Sequence, residues 1–413
     1  MAITLDDRDQ AAAPDEPPRR RMPSPSEMRD LVPVLGLREY WYPALEARTV
    51  GRRKPVGLKL LGEELVFFRG PDGRVKALDG VCPHRGAALS RGDCHFAGTV
   101  SCAYHGWTFD AAGECIAVLS EGPQSGIPGK ARTRAYPTRT LKGLVWVWMG
   151  DGEPADLRED VPPEFFEGPD TMILYATSDW PLNWRVSMEN SMDSHVGYVH
   201  RDALLSLRRP IMKGRPRSVI PKVVNNRAIV GLRPDRQSAP GVPAPPPPTP
   251  EAYQDYYPAL GGNWPKHRHR LRWTWLFDPK EQRRAQMPPF HDSEEWGRDG
   301  QLLHHLPSMF RYDHKFSVYT RYAVPVEENL SRMVYFHAVR HRGALAKLYE
   351  RVHFRVFYNW AMNTNFSQQD LYVMGGQRYD RPEKLSGTDA EIIAWRKLWL
   401  KARGMPPVDF DLD

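Results

Sequence analysis

The sequence predicts an α+β protein of two domains, an all-β domain followed by a larger domain of strands and helices. Three observations carry this. Short strand-like runs alternate with turn signals from about residue 37 to 152. The texture changes from about residue 153, where helical and longer strand patterns appear. Two helical patterns close the chain, around Leu348–Asp370 and Asp389–Arg403. A length of 413 residues is ample for two cores.

In the first domain, Leu58-Lys-Leu-Leu61, Leu65-Val-Phe-Phe68 and Val75-Lys-Ala-Leu78 read as strands. Pro71-Asp-Gly73 turns the chain between the last two, because Pro presets φ and Gly accepts positive φ. Leu144-Val-Trp-Val-Trp-Met149 is the longest compact apolar run and reads as a buried strand. Residues 1 to 36, rich in Pro, Ala, Arg and Asp, lack apolar periodicity and read as a disordered tail. In the second domain, Trp180-Pro-Leu-Asn-Trp184 leads into a helix expected to hold Glu189 through His200. A Pro-rich stretch at 239–250 reads as a loop. Leu271–Phe277, Phe316–Val324 and Met333–Val339 read as strands, with Pro325 to Asn329 connecting the last two.

The composition bounds the function. Lys and Arg number 57 against 50 Asp and Glu, a net charge of +7. This fits a moderately basic enzyme better than a nucleic-acid binder, which would show a Lys/Arg stripe interleaved with stacking aromatics. The nearest such stretch, Lys266 to Trp275, reads as a strand with one basic face, and a basic patch also suits an acidic electron-carrier protein. No apolar run approaches a membrane span. The acidic start, Met1 to Asp7, has no apolar signal core, so a cytoplasmic protein is expected. Four cysteines in so long a chain make no disulfide framework.

Two of those cysteines stand beside histidines, as Cys82-Pro-His84, seventeen further residues, then Cys102-Ala-Tyr-His105. Each loop offers one thiolate and one imidazole. A zinc ion uses the same donor types, but zinc motifs usually pair Cys with Cys and His with His. The mixed loops suit a two-iron cluster with two His on one iron and two Cys on the other, a Rieske [2Fe–2S] centre. Gly86 and Gly106 would let both loops approach it closely. Cys94 and Cys115 have no His at ligand spacing and read as ordinary small residues.

A simple electron carrier could end near residue 150, so the cluster is expected to feed a second centre. His195 and His200, with carboxylates just upstream, suit a 2-His-1-carboxylate facial triad, although His-x4-His alone equally describes a structural pair. Asp370 is the only acid between Phe354 and Gly375 and is the candidate third ligand. On a regular helix Asp193 and His195 would lie about 200° apart, so a kink, a π-bulge or a one-residue deletion is expected between them.

With these motifs the chain resembles the terminal oxygenase component of Rieske non-haem iron ring-hydroxylating oxygenases, within them the homotrimeric carbazole 1,9a-dioxygenase type. The likeness runs through Cys82-x-His84, Cys102-x-x-His105-Gly-Trp107, Glu189 to His200 and Gln369-Asp370. It further rests on Tyr40-Trp-Tyr-Pro43 and Asn183-Trp-Arg185. The resemblance implies an N-terminal all-β Rieske domain at 37–152 and a helix-grip catalytic domain at 153–413, with an antiparallel sheet and helices. It implies one [2Fe–2S] cluster and one mononuclear Fe(II) held by His195, His200 and Asp370. Asn190 matches a position close to that iron. Asp193 matches a carboxylate bridging an iron ligand and a cluster histidine of the next subunit, here His105. The absence of extra cysteines at Ala87 and Tyr104 places the cluster in the low-potential branch. Implied partners are a ferredoxin, an NAD(P)H-dependent reductase, O₂ and an apolar, aromatic substrate, as in aromatic hydrocarbon catabolism. A monooxygenase performing O- or N-demethylation or hydroxylation would carry the same motifs. A Rieske electron-transfer protein with an inactive second site is the reading of another class.

Overall fold

The computed structural model describes residues 23–193, 195–200, 203–205, 220–232, 293, 295–297, 302–314, 317–341, 343–378 and 381–407. The Pro-rich stretch and the expected strand Leu271–Phe277 lie outside these residues, as does Phe316.

The chain enters through helix α1, Pro25–Leu31, capped by a reciprocal Ser24/Glu27 box. Its Met28 is buried against Leu400. This corrects the expected tail through residue 36: an ordered helix stands within it. Three small antiparallel sheets follow. Strands β1 (Trp41–Glu46), β9 (Thr138–Leu141) and β10 (Leu144–Trp148) form one, in the order β1-β10-β9. Strands β2 (Val56–Leu60), β3 (Glu63–Arg69), β4 (Val75–Asp79) and β8 (Ala135–Tyr136) form the second. Strands β5 (Val100–Ser101), β6 (Trp107–Phe109) and β7 (Cys115–Val118) form the third, from which the 102–106 loop projects. All five residues of β10 are buried, as a continuous apolar run requires.

After a short helix α2 (Leu157–Asp160), a seven-stranded antiparallel sheet is built in the order β11-β17-β16-β15-β14-β13-β12. Its strands are β11 (Thr171–Trp180), β12 (Ile220–Val224), β13 (Ala228–Leu232), β14 (Leu302–His305), β15 (Met309–His314), β16 (Ser317–Glu327) and β17 (Leu330–Arg340). Pro325 and Val326 belong to β16, so the turn before β17 is shorter than the sequence implied. Pro325 sits at a register shift, where a missing N–H is tolerated.

Helices α3 (Trp184–Glu189) and α4 (Val196–Val199) interrupt the sheet's chain path. This corrects the expected continuous helix from Glu189 to His200, since residues 190–193 form a turn. Beyond β17 runs one long helical segment: α5 (Gly343–His353), a π-helical stretch over Phe354–Phe366, and α6 (Ser367–Met374). Helix α7, Ala390–Leu400, buries Trp395 and Trp399. Trp399 packs on Trp184 of α3 with ring centroids 4.8 Å apart, and Arg396 forks onto Glu189 with two 2.7 Å bonds. That buried pair fastens α3, the approach to the site, to the C-terminal helix.

The main core does not stop between the two parts. Trp146 of β10 packs on Phe165, Tyr322 and Phe336. The β2–β3 turn donates from Leu61 N to Pro325 O and from Gly62 N to Val326 O.

Candidate metal centres

Two loops of the first part share one hydrogen-bond plan. In the first, Cys82 N donates to Ala87 O and Gly86 N donates to Cys82 O. In the second, Cys102 N donates to Trp107 O and Gly106 N donates to Cys102 O. The glycine of each loop has positive φ, +74° at Gly86 and +64° at Gly106. At Gly106 a Cβ would also come within 2.5 Å of Leu119 Cβ, so a side chain is excluded twice over.

The twin loops bring Cys82, His84, Cys102 and His105 together in a graded environment. The cysteines are buried at their base, whereas His84 is exposed and His105 half-buried. The His84 and His105 rings lie edge to face at 4.6 Å, and Trp107 stacks flat on His84 at 4.7 Å. Burial, with Cys102 alongside, pushes the Cys82 thiol up to about 11, so occupation of the site must displace that proton. Among the described residues, only His195, His200 and Asp370 bring three ligand atoms within 4.8 Å of one another. Two thiolates and two imidazoles on paired loops make the donor set of a two-iron cluster, and the four loop residues fit one.

The second centre lies where α4 meets α6. Nε2 of His195 is 3.0 Å from Asp370 Oδ1, and Nε2 of His200 is 2.9 Å from the same oxygen. Ligands ~2.1 Å from a metal and at right angles lie ~3.0 Å apart, so these separations fit a facial triad. Both ring nitrogens of His200 are buried without a hydrogen-bond partner despite that proximity. Burial opposes ionisation of Asp370, but the two imidazoles hold its carboxyl well below the usual range.

The turn at 190–193 explains the Asp193-x-His195 spacing. Because the segment is not helical, the 200° offset does not arise. Asp193 Oδ1 accepts from the backbone N of His195 at 2.9 Å and also meets His195 Nδ1. Against the opposing effect of burial, Asp193 and Asp370 hold the His195 imidazole up at about 9. His200 is oriented differently, by stacking on Phe366 at 3.5 Å. Asn190 ends α3 as its C-cap. Among the described residues, no hydrogen bond joins its side chain to the three ligands.

Other contributors carry no motif. His304 of β14 reaches Ser191 Oγ at 3.0 Å and braces the turn before Asp193. Tyr335 of β17 hydrogen-bonds Ser178 and Ser367, the latter three residues before Asp370. Pairing across a sheet brings these residues in, and no local spacing announces it.

Residues 40–136 match the Rieske [2Fe-2S] domain family, and residues 148–210 match the homotrimeric ring hydroxylase family. The terminal oxygenase component CarAa of carbazole 1,9a-dioxygenase from Metapseudomonas resinovorans is 36% identical over 173 residues. That match covers 41% of this chain and 44% of the relative. The oxygenase subunit of 5,5'-dehydrodivanillate O-demethylase from Sphingobium sp. is 34% identical over 176 residues, covering 42% of this chain and 41% of the relative. The chain thus spans under half the length of these curated relatives. The solved oxygenase in the reduced oxygenase–ferredoxin complex of carbazole 1,9a-dioxygenase shares the fold, with a TM-score of 0.65 at 21% identity, over 90% of each chain. No helix of the described residues is long and apolar enough to cross a membrane. Along the chain, a match to the Rieske [2Fe-2S] domain is thus followed directly by a match to the homotrimeric ring hydroxylase family.

Proposed function

We propose that this chain is the terminal oxygenase component of a multicomponent system that hydroxylates an apolar, aromatic substrate. The observation that carries it is the convergence of both imidazole Nε2 atoms on one Asp370 oxygen at 2.9 and 3.0 Å. In this reading residues 37–152 are the electron-storing domain and residues 153–413 the catalytic domain, onto which helix α1 packs through Met28 and Leu400.

Cys82, His84, Cys102 and His105 hold a [2Fe–2S] cluster, and His195, His200 and Asp370 hold a mononuclear iron. When bound, the cluster supplies single electrons and the mononuclear iron supplies O₂ chemistry. The chain's own residues do the rest. Asp193 accepts a hydrogen bond from Nδ1–H of His195, which fixes the tautomer and leaves the Nε2 lone pair for the metal. Phe366 sets the plane of His200. Asp370 contributes the negative charge, and a metal held by three ligands in this way would keep positions for a co-reactant. Electrons come from a ferredoxin fed by a separate NAD(P)H-dependent reductase. The chain works as a cytoplasmic homotrimer in which Asp193 also reaches His105 of the next subunit.

Iron content tests the reading: about three irons per chain are expected, on the stoichiometry of one cluster and one mononuclear site. Asp370→Ala should lose about one of them and keep the cluster's visible absorption. Loss of the cluster with retention of the mononuclear iron would overturn the assignment. The demethylase relative favours a second reading, oxidative demethylation. Labelling with ¹⁸O₂ across aromatic and methoxylated compounds decides, since two labelled oxygens in one product exclude it.

A further inference from the structure

The long helical segment presents an inward stripe of Asn363, Ser367, Asp370 and Met374, exposed by 8%, 1%, 3% and 5%. The spacing of four, three and four residues keeps them on one face. Three of the four are polar, which is unusual for a buried stripe. Asp370 is a ligand of the proposed iron. Ser367 Oγ donates to Met362 O at 3.0 Å, so its hydroxyl is satisfied.

Asn363 is different. Its Nδ2 donates to Asn359 Oδ1 at 2.9 Å, while its Oδ1 is buried with no hydrogen-bond partner. Asn359 therefore fixes the amide and leaves the carbonyl as the unsatisfied atom. A buried carbonyl without a partner costs free energy. The cost is repaid when something else supplies the hydrogen. The sheet opposite is polar as well: Tyr319 of β16 is buried, and its hydroxyl lies within the electrostatic reach of Asp370, Tyr335 and Tyr358. Asn363 and Asp370 are separated by seven positions, on the order of 10 Å along the helix. That span suits a ring system with one edge at the metal and a polar substituent at Asn363.

We propose that Asn363 is a specificity-determining residue whose Oδ1 accepts a hydrogen bond from an N–H or O–H on an aromatic substrate. The proposal rests on the oxygenase reading of the site and narrows its substrate class. A site built around an unpaired acceptor rejects an analogue lacking the donor strongly, because the acceptor then stays buried and unpaired.

The test is equilibrium binding to the oxidised, iron-loaded protein without turnover, read by tryptophan fluorescence quenching. The probes are indole against N-methylindole and 2-naphthol against 2-methoxynaphthalene. The parent of at least one pair should bind roughly tenfold tighter than its methyl derivative, the scale of one buried hydrogen bond. In Asn363→Leu and in the smaller Asn363→Ala that preference should fall to about one, with affinity for the methylated probe changed less than about twofold. Cluster absorption and circular dichroism report that both variants are folded. A preference that survives in both variants, or a wild-type protein that prefers neither parent, overturns the proposal. The iron count of Asp370→Ala is independent of these outcomes, so failure of the oxygenase reading is seen separately.

Discussion

Glu391 is 3% exposed in the first turn of α7, and its Oε1 has no hydrogen-bond partner. Burial alone pushes its carboxyl up from 4.5 to about 7. The sign of the consequence follows from proton counting. Between pH 4.5 and 7 the folded chain keeps a proton that the unfolded chain has released, so stability is lost as pH rises through that window. Above pH 7 both states are ionised and the deficit is constant, at most about 3 kcal/mol for a shift of this size. Its place near a helix N-terminus offsets part of it. Glu391→Gln is therefore expected to be more stable than the parent at pH 8 and nearly equal to it at pH 4.5. Urea titrations of both proteins at the two pH values measure this. An unchanged difference between the pH values would show that Glu391 is already solvated.

At the scale of elements, the break between α3 and α4 decides the geometry of the proposed iron site. A continuous helix would separate Asp193 from His195, whereas the turn lets one carboxylate oxygen meet both the backbone N and Nδ1 of His195. Asp193→Asn keeps an oxygen acceptor and the turn, but removes the charge that Nδ1–H faces. The variant is expected to retain its iron and lose roughly 10-fold or more in product per single turnover, as disrupted partners of metal-bound histidines do. Unchanged turnover with a pre-reduced cluster would remove Asp193 from the electron path. The sequence displayed the twin Cys-His loops fully, because each loop is local: Cys, His and Gly stand within five residues, and the loop closes its own hydrogen bonds. His195 and His200 were likewise visible, and Asp370 stood out as a lone acid in a helical stretch. A disruption of the helix before His195 was legible in the Asp193-x-His195 spacing, but its extent over 190–193 was not, since Asn190 to Asp193 contains neither Pro nor Gly. Nor were the bracing contacts of His304 and Tyr335, which depend on strand pairing. Of the π-bulge, kink or deletion that the spacing allows before His195, the interruption at 190–193 fits the kink, and the π-helical stretch lies elsewhere, at Phe354–Phe366 ahead of Asp370.

The molecule as a whole is organised around a core that both domains share. Trp41, Tyr42, Trp146 and Trp148 of the first part lie in one buried cluster with Trp184, Tyr322, Trp395 and Trp399 of the second. A polar seam reinforces it. Asp160 of α2 accepts from Trp41 N at 3.0 Å, and Tyr322 hydroxyl donates to Asp160 O at 2.7 Å. Arg403 pairs with Asp160 and stacks over Tyr40 at 4.2 Å. Neither part can lose this surface without exposing large aromatic rings, so the cluster loops and the triad are expected to unfold as one unit rather than as separable domains. Loss of the cluster's visible absorption and the shift of tryptophan emission should then coincide along a urea titration. Trp146 contacts Phe165, Tyr322 and Phe336 across the boundary, so Trp146→Ala should cost about 3–5 kcal/mol and move both transitions together. Two separated transitions, with only the first displaced by the substitution, would mean that the shared core is a docking surface between independently stable domains.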